Sequence, residues 1–371
     1  MLDALALILA LVHFAFPLAY YLYAKTMWLP RPWNLKMNEN YKPHVTIILP
    51  TYNEAKIIRD RLDNIYGQEY SKEFMEVIVV DSASTDGTLE FIEKWAREHK
   101  DIKVRIMRES YRRGMVPAIN YALRTIEPTG EIVVLTDADA WWPITAIKSI
   151  VKYFADDKVG AVTASIIYEE QDDDNTENMY RHYYNILRVS ESKKHSTPVH
   201  NGPLIAFRKN LLYKIGLLPE YVGNDDSTPA SVIAFMGYRA IQVDDVVVKE
   251  YVKENQFWRM VRRAQHLIVH FIKTKKYVKG KKYLYRHNKD FEMIWGIEWW
   301  LHVVNPWLLF TSLALFMTSC ITFLSITSFA IIIVGILLLG SKVFRTWIFQ
   351  QICLILAMVK NLKSINIVWS K

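Results

Sequence analysis

Cysteine is scarce in this sequence, and the two that occur, Cys320 and Cys353, both fall in apolar segments. They indicate neither a disulfide framework nor a zinc site. The sequence also has no internal repeat and no low-complexity tract, and none of its apolar segments carries the paired charges typical of a transporter. The features that remain to indicate a function are the unevenly distributed apolar, basic and acidic residues.

The N-terminal segment predicts a membrane helix. Residues 2–24 carry one charge, Asp3, and are long enough to cross a hydrocarbon core of about 30 Å. They lack the basic start and the small-residue cleavage site of a signal peptide. We therefore expect a retained transmembrane helix over residues 1–25, followed by a linker rich in proline and asparagine over residues 26–43.

The C-terminal third predicts a second membrane region, residues 291–371. Within it, residues 299–340 are too long for one crossing and fit two, with a turn near Ser325 and Ser328. Residues 343–359 have basic residues at both ends, which suits either a third crossing or a helix in the membrane interface. We favour the interfacial helix.

The formal net charge of +8 has a local origin just before this region. Between Lys253 and Lys289 there are twelve Lys or Arg residues and a single acid, Glu254. Nucleic-acid binding is one interpretation of such a segment. Apolar residues are interleaved with the basic ones, however, and beside a membrane span this pattern is more typical of a helix on anionic lipid. We predict an interfacial segment over residues 253–290, with membrane lipids and no nucleic acid as partners.

The positions of the basic residues also predict the orientation of the chain in the membrane. Basic residues also follow the first apolar segment: Lys25, Arg31 and Lys36. Because positively charged flanks stay in the cytosol, the domain between the membrane segments is expected on the cytosolic side. The sequence thus predicts an integral membrane protein, in the plasma membrane of a prokaryote, with a cytosolic central domain.

The central domain, residues 44–252, alternates apolar runs with helical segments. The runs that read as strands are residues 45–49, 77–80, 103–107, 132–135 and 159–167. Strands separated by helices of this length are typical of βαβ units with right-handed crossovers. We predict an α/β fold with a doubly wound, mostly parallel sheet.

Acidic residues occur at three places in this domain: Asp81, the pair Asp137 and Asp139, and the pair Asp225 and Asp226. The first two places directly follow predicted strands. In an open α/β sheet ligands bind at the edge where parallel strands end. Carboxylates at that edge suit a divalent cation with an anionic ligand. This arrangement predicts an enzyme.

Five motifs occur in a fixed order between residues 45 and 266. They are Pro50-Thr51-Tyr52-Asn53-Glu54, Asp81 with Ser84-Thr85-Asp86-Gly87-Thr88, Arg112-Arg113-Gly114 with Ala118 and Asn120, Asp137-Ala138-Asp139, and Asp225-Asp226. With these motifs the chain resembles the membrane-associated glycosyltransferases of family 2, which have the nucleotide-sugar-binding fold called GT-A. The resemblance implies a UDP- or GDP-linked sugar donor and a Mg²⁺ or Mn²⁺ cofactor.

The resemblance assigns roles to the middle acidic pair. It implies that Asp139 ligates the metal, which bridges the donor diphosphate, and that Asp137 faces the ribose. An N-cap ahead of Pro143 is the alternative, because Asp favours that position. An N-cap accounts for one aspartate of the pair only.

The resemblance also implies a nucleotide site. Asp81 is expected to contact the base, and the loop that contains Pro50, Tyr52 and Glu54 is expected to surround it. An ordinary turn at a strand end is the alternative for Asp81. Arg112 and Arg113, before a glycine and a helix start, suit phosphate, although a solvated basic loop fits them nearly as well.

The last acidic pair is expected to perform the chemistry. By resemblance Asp226 is the base that accepts a proton from the acceptor hydroxyl, and Asp225 supports it. A surface turn is the alternative, since Gly and Asn precede the pair. The Gly-Pro segment that begins at Gly202 matches the family, and His200 beside it is the second candidate base.

One motif departs from the family pattern. Processive relatives carry Gln-Gln/Arg-x-Arg-Trp on an interfacial helix, whereas this chain has Arg262-Arg263-Ala264-Gln265-His266 without the tryptophan. Arg262, Arg263 and Gln265 remain candidates to contact the diphosphate or the acceptor. We therefore expect one sugar to be transferred to a lipid-linked or membrane-proximal glycan acceptor. A processive polysaccharide synthase and a membrane-tethered, non-catalytic binding protein are the alternatives.

Overall fold

The computed structural model describes residues 2–169, 176–251 and 256–363. The predicted domain boundary at residues 252–253, Glu254 of the basic segment, and residues 364–371 of the predicted C-terminal membrane region lie outside the described residues.

The central domain is built on one sheet of eight strands in the order β3-β2-β1-β4-β7-β6-β8-β5. The strands are β1 Val45–Thr51, β2 Met75–Asp81, β3 Lys103–Arg108, β4 Ile132–Leu135, β5 Ala140–Trp141, β6 Val159–Glu169, β7 Ile205–Arg208 and β8 Arg239–Tyr251. Strands β1 to β4 pair in parallel, and so do β6 and β8. The predicted mostly parallel α/β sheet is confirmed.

Two strands run against the others. Strand β7 is antiparallel to both β4 and β6, and β5 is antiparallel to β8. A 3₁₀ turn, Gly202–Leu204, leads into β7 from the edge where the parallel strands end. Because β7 starts at that edge it can only run antiparallel, and its first turn brings Gly202 to the ends of the parallel strands.

Thirteen α-helices are described. They are α1 Leu2–Tyr23, α2 Ile58–Tyr66, α3 Thr88–Glu98, α4 Met115–Thr125, α5 Ala146–Val151, α6 Thr176–Lys194, α7 Lys209–Lys214, α8 Ser227–Phe235, α9 Gln256–Gly280, α10 Lys289–Trp299, α11 Asn305–Phe323, α12 Ile326–Leu338 and α13 Lys342–Asn361. Those of the central domain cover both faces of the sheet, as the continuous apolar strands require.

The two faces of the sheet contribute to different parts of the core. In β1, Ile47 and Leu49 point to the cluster that holds Ile58 of α2 and Ile92 of α3. Ile48 points to the opposite cluster, with Ile119 of α4. All these side chains are fully buried. Successive side chains of a strand alternate between faces, so one apolar strand supplies both layers.

Among the described residues, three helical segments are long and apolar enough to cross a membrane: Leu2–Trp28, Lys289–Phe323 and Lys342–Asn361. Helix α12 has 13 residues, which at 1.5 Å per residue is about 20 Å, shorter than a bilayer core. Its start at Ile326 places a turn at Ser325. By length, α13 is therefore better suited to a crossing than α12, whereas we expected an interfacial helix at residues 343–359.

Candidate active site

One large cavity, of about 1670 Å³, opens at the edge of the sheet where the parallel strands end. Most of the predicted site residues line it: Pro50, Tyr52, Glu54, Asp137, Asp139, His200, Gly202, Asp225, Asp226, Arg262 and Arg263. Three do not, namely Asp81, Arg113 and Gln265. Eleven of the fourteen predicted residues thus share one cavity, and their roles stay predictions.

Asp81 ends β2, is fully buried and does not line the cavity. Its Oδ2 accepts a hydrogen bond from the backbone N–H of Ser84 at 3.1 Å. Its Oδ1 has no hydrogen-bond partner among the described residues. A buried carboxylate oxygen without a donor is costly. The contact of Asp81 with the base stays a prediction.

The two arginines of the third motif have different environments. Arg113 forms an ion pair with Glu109 at 2.7 Å, and its guanidinium lies over the ring of Tyr121. Arg112 lines the cavity, with its guanidinium 4.0 Å from the centre of the Tyr52 ring. Of the two arginines, Arg112 thus lines the cavity and Arg113 does not, and phosphate binding stays a prediction.

Gln265 connects helix α9 to helix α13. Its amide donates to Asn361 Oδ1 at 3.1 Å, and the amide of Asn361 donates to the carbonyl of Gln265 at 3.1 Å. The pair joins α9 to α13. Arg262 and Arg263, on the neighbouring part of α9, do face the cavity.

The segment with Asp137 and Asp139 is held by Arg61, a buried arginine of α2. Its Nε donates to the carbonyl of Asp137 at 3.2 Å and one terminal nitrogen donates to Thr136 Oγ1 at 2.6 Å. Its guanidinium also lies 4.3 Å from the centre of the Trp142 ring. Burial lowers the pKa of Arg61 to about 9, although the negative charges of Asp137 and Asp139 act to raise it.

Sequence reasoning missed Arg61, although a signal was present. In α2 it stands at the inward position of a helical pattern with Ile58, Leu62 and Ile65, all buried. A charged residue on the apolar face of an amphipathic helix requires a buried partner. Here the partners are backbone and side-chain oxygens next to the acidic pair.

Three carboxylates converge on Gly202. A Cβ atom at this glycine would lie 3.5 Å from Oδ2 of Asp226, 3.7 Å from Oδ2 of Asp137 and 4.0 Å from Oδ2 of Asp225. The absent side chain leaves the space between them open. Hydrogen bonds to the carbonyl of Pro203, from Thr136 at 2.8 Å and Trp142 at 2.9 Å, fix the turn against the Asp137 segment.

Because these carboxylates are buried close together, they resist simultaneous ionisation. Burial, and then repulsion from Asp139 and Asp225, raises the pKa of Asp137 well above its ordinary value, against the effect of Arg263. Burial and then Asp226 raise the pKa of Asp225 to about 7. Excess negative charge of this kind favours a bound cation.

Asp226 is the N-cap of α8, which fixes one of its oxygens. Oδ1 accepts from the backbone N–H and, at 2.9 Å, from the hydroxyl of Ser227. Oδ2 is the atom that lies nearest to Gly202. Burial raises the pKa of Asp226, whereas the bonds from Ser227 and the charge of Arg188 lower it.

His200, the second candidate base, also lines the cavity but is a weak proton acceptor. Burial, and then repulsion from Arg188 and His270, lowers its pKa to about 3. Burial shifts the pKa of Asp226 in the opposite direction, upward.

Arg188 of α6 is a further residue that sequence reasoning missed. It is buried, donates to Asn201 Oδ1 at 3.0 Å, and lies 5.2 Å from the centre of the Tyr184 ring. It thus brings positive charge to the segment between His200 and Gly202. Its position depends on the packing of α6 against β6 and β8, which no local motif indicates.

Family profiles match most of the central domain and beyond. The profile of Glycosyl transferase family 2 matches residues 46–216, and that of Glycosyl transferase family group 2 matches residues 132–344. The chain belongs to glycosyltransferase family 2. It is therefore an enzyme of this family, and the fold is the GT-A type that the resemblance implied.

A solved structure is similar over nearly the whole chain. The mannosyltransferase PcManGT from Pyrobaculum calidifontis, in complex with GDP-Man and Mn²⁺, is 42% identical. The match covers 98% of this glycosyltransferase and 99% of that chain, with a TM-score of 0.87.

Curated relatives match over shorter segments. A Methanococcus voltae enzyme named dolichyl N-acetyl-α-D-glucosaminyl phosphate 3-β-D-2,3-diacetamido-2,3-dideoxy-β-D-glucuronosyltransferase is 32% identical over 97 residues, 26% of this chain and 29% of that protein. The poly(ribitol-phosphate) β-N-acetylglucosaminyltransferase TarS of Staphylococcus aureus is 38% identical over 94 residues, 25% of this chain and 16% of that protein. The matches thus span less than a third of these two relatives.

Proposed function

We propose that this glycosyltransferase transfers mannose from GDP-mannose to a lipid-linked acceptor, with inversion at the anomeric carbon. The donor is proposed from the similarity to PcManGT, which was solved with GDP-Man and Mn²⁺. The single observation that carries the chemistry is the convergence of Asp137, Asp225 and Asp226 on the open space at Gly202. A sugar placed there would have a base on one side and the diphosphate site on the other.

A divalent cation, Mn²⁺ or Mg²⁺, fits the acidic end of the cavity. Among the described residues no group of three or more His, Cys, Asp or Glu side chains is placed to hold a metal alone. Asp139 would hold the cation together with oxygens of the donor diphosphate, which the excess of carboxylates favours. When bound, the cation neutralises the charge of the leaving diphosphate.

The chain's own residues account for the proton transfer. The acceptor hydroxyl attacks the anomeric carbon, the bond to the diphosphate oxygen breaks, and the diphosphate leaves with the electron pair. Oδ2 of Asp226 takes the hydroxyl proton while Ser227 holds Oδ1. A single displacement of this kind inverts the anomeric configuration.

The lipid-linked acceptor is proposed because of the apolar helices and because of the substrate for which one relative is named. Three segments have the length and composition of membrane spans, and the Methanococcus voltae relative is named for a dolichyl phosphate-linked substrate. We place the catalytic domain at the cytosolic face of the membrane, as the basic flanks predict.

The donor is tested by thermal shift of the purified protein with Mn²⁺. GDP-mannose should raise the unfolding temperature more than UDP-glucose or UDP-N-acetylglucosamine, because a ligand that binds only the native state stabilises it. An equal or larger shift with a UDP-sugar contradicts the proposed donor.

The base is tested with Asp226→Asn. We expect transfer to fall by at least about a thousandfold with GDP-mannose binding retained, and Asp60→Asn on the exposed face of α2 serves as the control. Normal transfer in the variant would exclude Asp226 as the base.

Sizing the products separates the alternatives: one added sugar supports the proposal, and a polymer ladder indicates a processive synthase.

A further inference from the structure

The cavity continues well past the carboxylates. Its volume of about 1670 Å³ exceeds that of ordinary small-ligand sites, roughly 300–1,000 Å³. Beyond the acidic end its wall consists of α6, α9 and the two apolar helices α1 and α13. A nucleotide sugar therefore leaves a large part of the cavity for a second molecule.

The lining changes in chemistry along this extension. On α9, Arg259, Arg262 and Arg263 line the cavity next to the acidic end, and their spacing of three and four residues puts them on one helix face. Mutual repulsion among these arginines adds to burial in lowering the pKa of Arg262. Farther on, the lining becomes apolar, with Phe14 and Leu18 of α1 among its residues. The lining of one cavity thus combines carboxylates, arginines and apolar side chains.

The apolar part reaches the surface of the candidate membrane spans. Leu18 of α1 and Val343 of α13 both line the cavity, and they are 58% and 65% exposed. Next to them the two helices touch, since the rings of Phe14 and Phe344 stack at 5.6 Å and Trp347 donates to His13 at 2.9 Å. The cavity thus extends as a groove between α1 and α13, from the carboxylates to exposed apolar side chains of the candidate membrane spans.

We infer that this groove binds the hydrocarbon chain of a polyprenyl phosphate-linked acceptor, with the phosphate at Arg259 and Arg262. The inference rests on the proposed function and deepens it. The arginines select a phosphate-bearing lipid over a neutral one such as diacylglycerol. The groove holds the chain outside the polar site, and the acceptor hydroxyl is delivered to Asp226.

The test is photolabelling of the full chain in nanodiscs of neutral phospholipid. The probe is a long-chain prenyl phosphate with a diazirine in its second isoprene unit, and the labelled peptides are identified by mass spectrometry. We expect label on residues 14–21 and 343–354. Unlabelled prenyl phosphate should remove it, whereas diacylglycerol and inorganic phosphate should not.

Two variants narrow the groove from opposite walls, Leu18→Trp and Val343→Trp. Each should reduce labelling by at least fivefold. The control is Leu11→Trp, because Leu11 is 57% exposed on the same helix and does not line the cavity. Undiminished labelling in both groove variants, label confined to residues 5–12, or competition by diacylglycerol would overturn the inference.

The donor shift with GDP-mannose is measured on the same samples. A normal shift with no label in the groove rejects the groove and leaves the proposed donor standing. Labelling of the groove without a GDP-mannose shift rejects the donor and supports the lipid site.

Discussion

At the scale of single residues, Arg61 shows how a buried charge can act on the site without facing the cavity. It binds the carbonyl of Asp137 and the hydroxyl of Thr136, and it does not line the cavity itself. It thus fixes the backbone that presents Asp137 and Asp139. Lysine could keep the charge but could not reproduce the planar set of donors.

We predict that Arg61→Lys weakens the apparent affinity for Mn²⁺ at least about tenfold, as is typical when residues that orient metal ligands are replaced. The measurement is the Mn²⁺ dependence of transfer at saturating GDP-mannose. Arg59→Lys, two residues earlier and largely exposed, is the control. An unchanged Mn²⁺ dependence in Arg61→Lys would show that the guanidinium has no positioning role.

Arg188 acts on the base by charge. In the proposed mechanism the ionised form of Asp226 accepts the proton, so activity should rise as pH increases through the pKa of Asp226. Arg188 lowers that pKa. Arg188→Gln should therefore move the acidic limb of the kcat profile to higher pH, and Arg188→Lys, which keeps the charge, should move it less. A limb that stays in place in Arg188→Gln would mean that another group sets it.

These two arginines also mark the limit of prediction from sequence at this scale. Asp137, Asp139 and Asp226 could be found because each stands in a short motif at a strand end or helix start. The importance of Arg61 and Arg188 depends on which distant oxygens they meet after folding. Sequence could not distinguish Arg112 from Arg113 either, since the ion pair of Arg113 with Glu109 becomes visible only in three dimensions.

At the scale of elements, the start of β2 carries a buried carboxylate that supports the sheet. Glu76 forms ion pairs with Lys103 at 3.0 Å and Arg105 at 2.6 Å, both on β3, and accepts from Thr46 and from the backbone of Thr129. Burial opposes its ionisation, yet these partners lower its pKa from 4.5 to about 2.

Because the pKa of Glu76 is lower in the folded state, its stabilisation is present above pH 4.5 and is lost as the pH falls toward about 2. Glu76→Gln should lower the free energy of unfolding at pH 7 by about 3 kcal/mol, and this difference should shrink below pH 4.5. Thermal midpoints across this pH range measure it. Glu73→Gln at an exposed neighbouring position should change little; a constant deficit for Glu76→Gln at all pH values would contradict the ionic origin.

The sheet could be predicted where sequence and local geometry agree. Strands β1 to β4 are apolar runs followed by helices, so their parallel order follows from βαβ packing. Strand β7 has four residues and is preceded by a turn, and its direction depends on where that turn is anchored. The lengths of α12 and α13 likewise depended on the position of one turn, at Ser341, that the apolar pattern does not mark strongly.

At the scale of the molecule, α9 joins the catalytic domain to the apolar helices. One face of α9 lines the cavity, and another packs on α13 through Val261, Ala264 and Ile268. On α13 the facing residues include Ala357, which is fully buried. Small residues at this contact let the two helices approach closely, and the position of the arginines of α9 depends on it.

Ala357→Leu should therefore push α13 away from α9. Adding three carbons to a packed contact costs about 1–3 kcal/mol, so the thermal midpoint should fall by several degrees. Transfer to a long-chain lipid acceptor should fall with it, while GDP-mannose binding, which depends on the sheet edge, should be retained. The control is Val359→Leu, two residues further along α13 and 45% exposed. Equal effects of the two variants, or loss of donor binding in Ala357→Leu, would show that the α9–α13 contact does not couple the membrane helices to the acceptor side of the cavity.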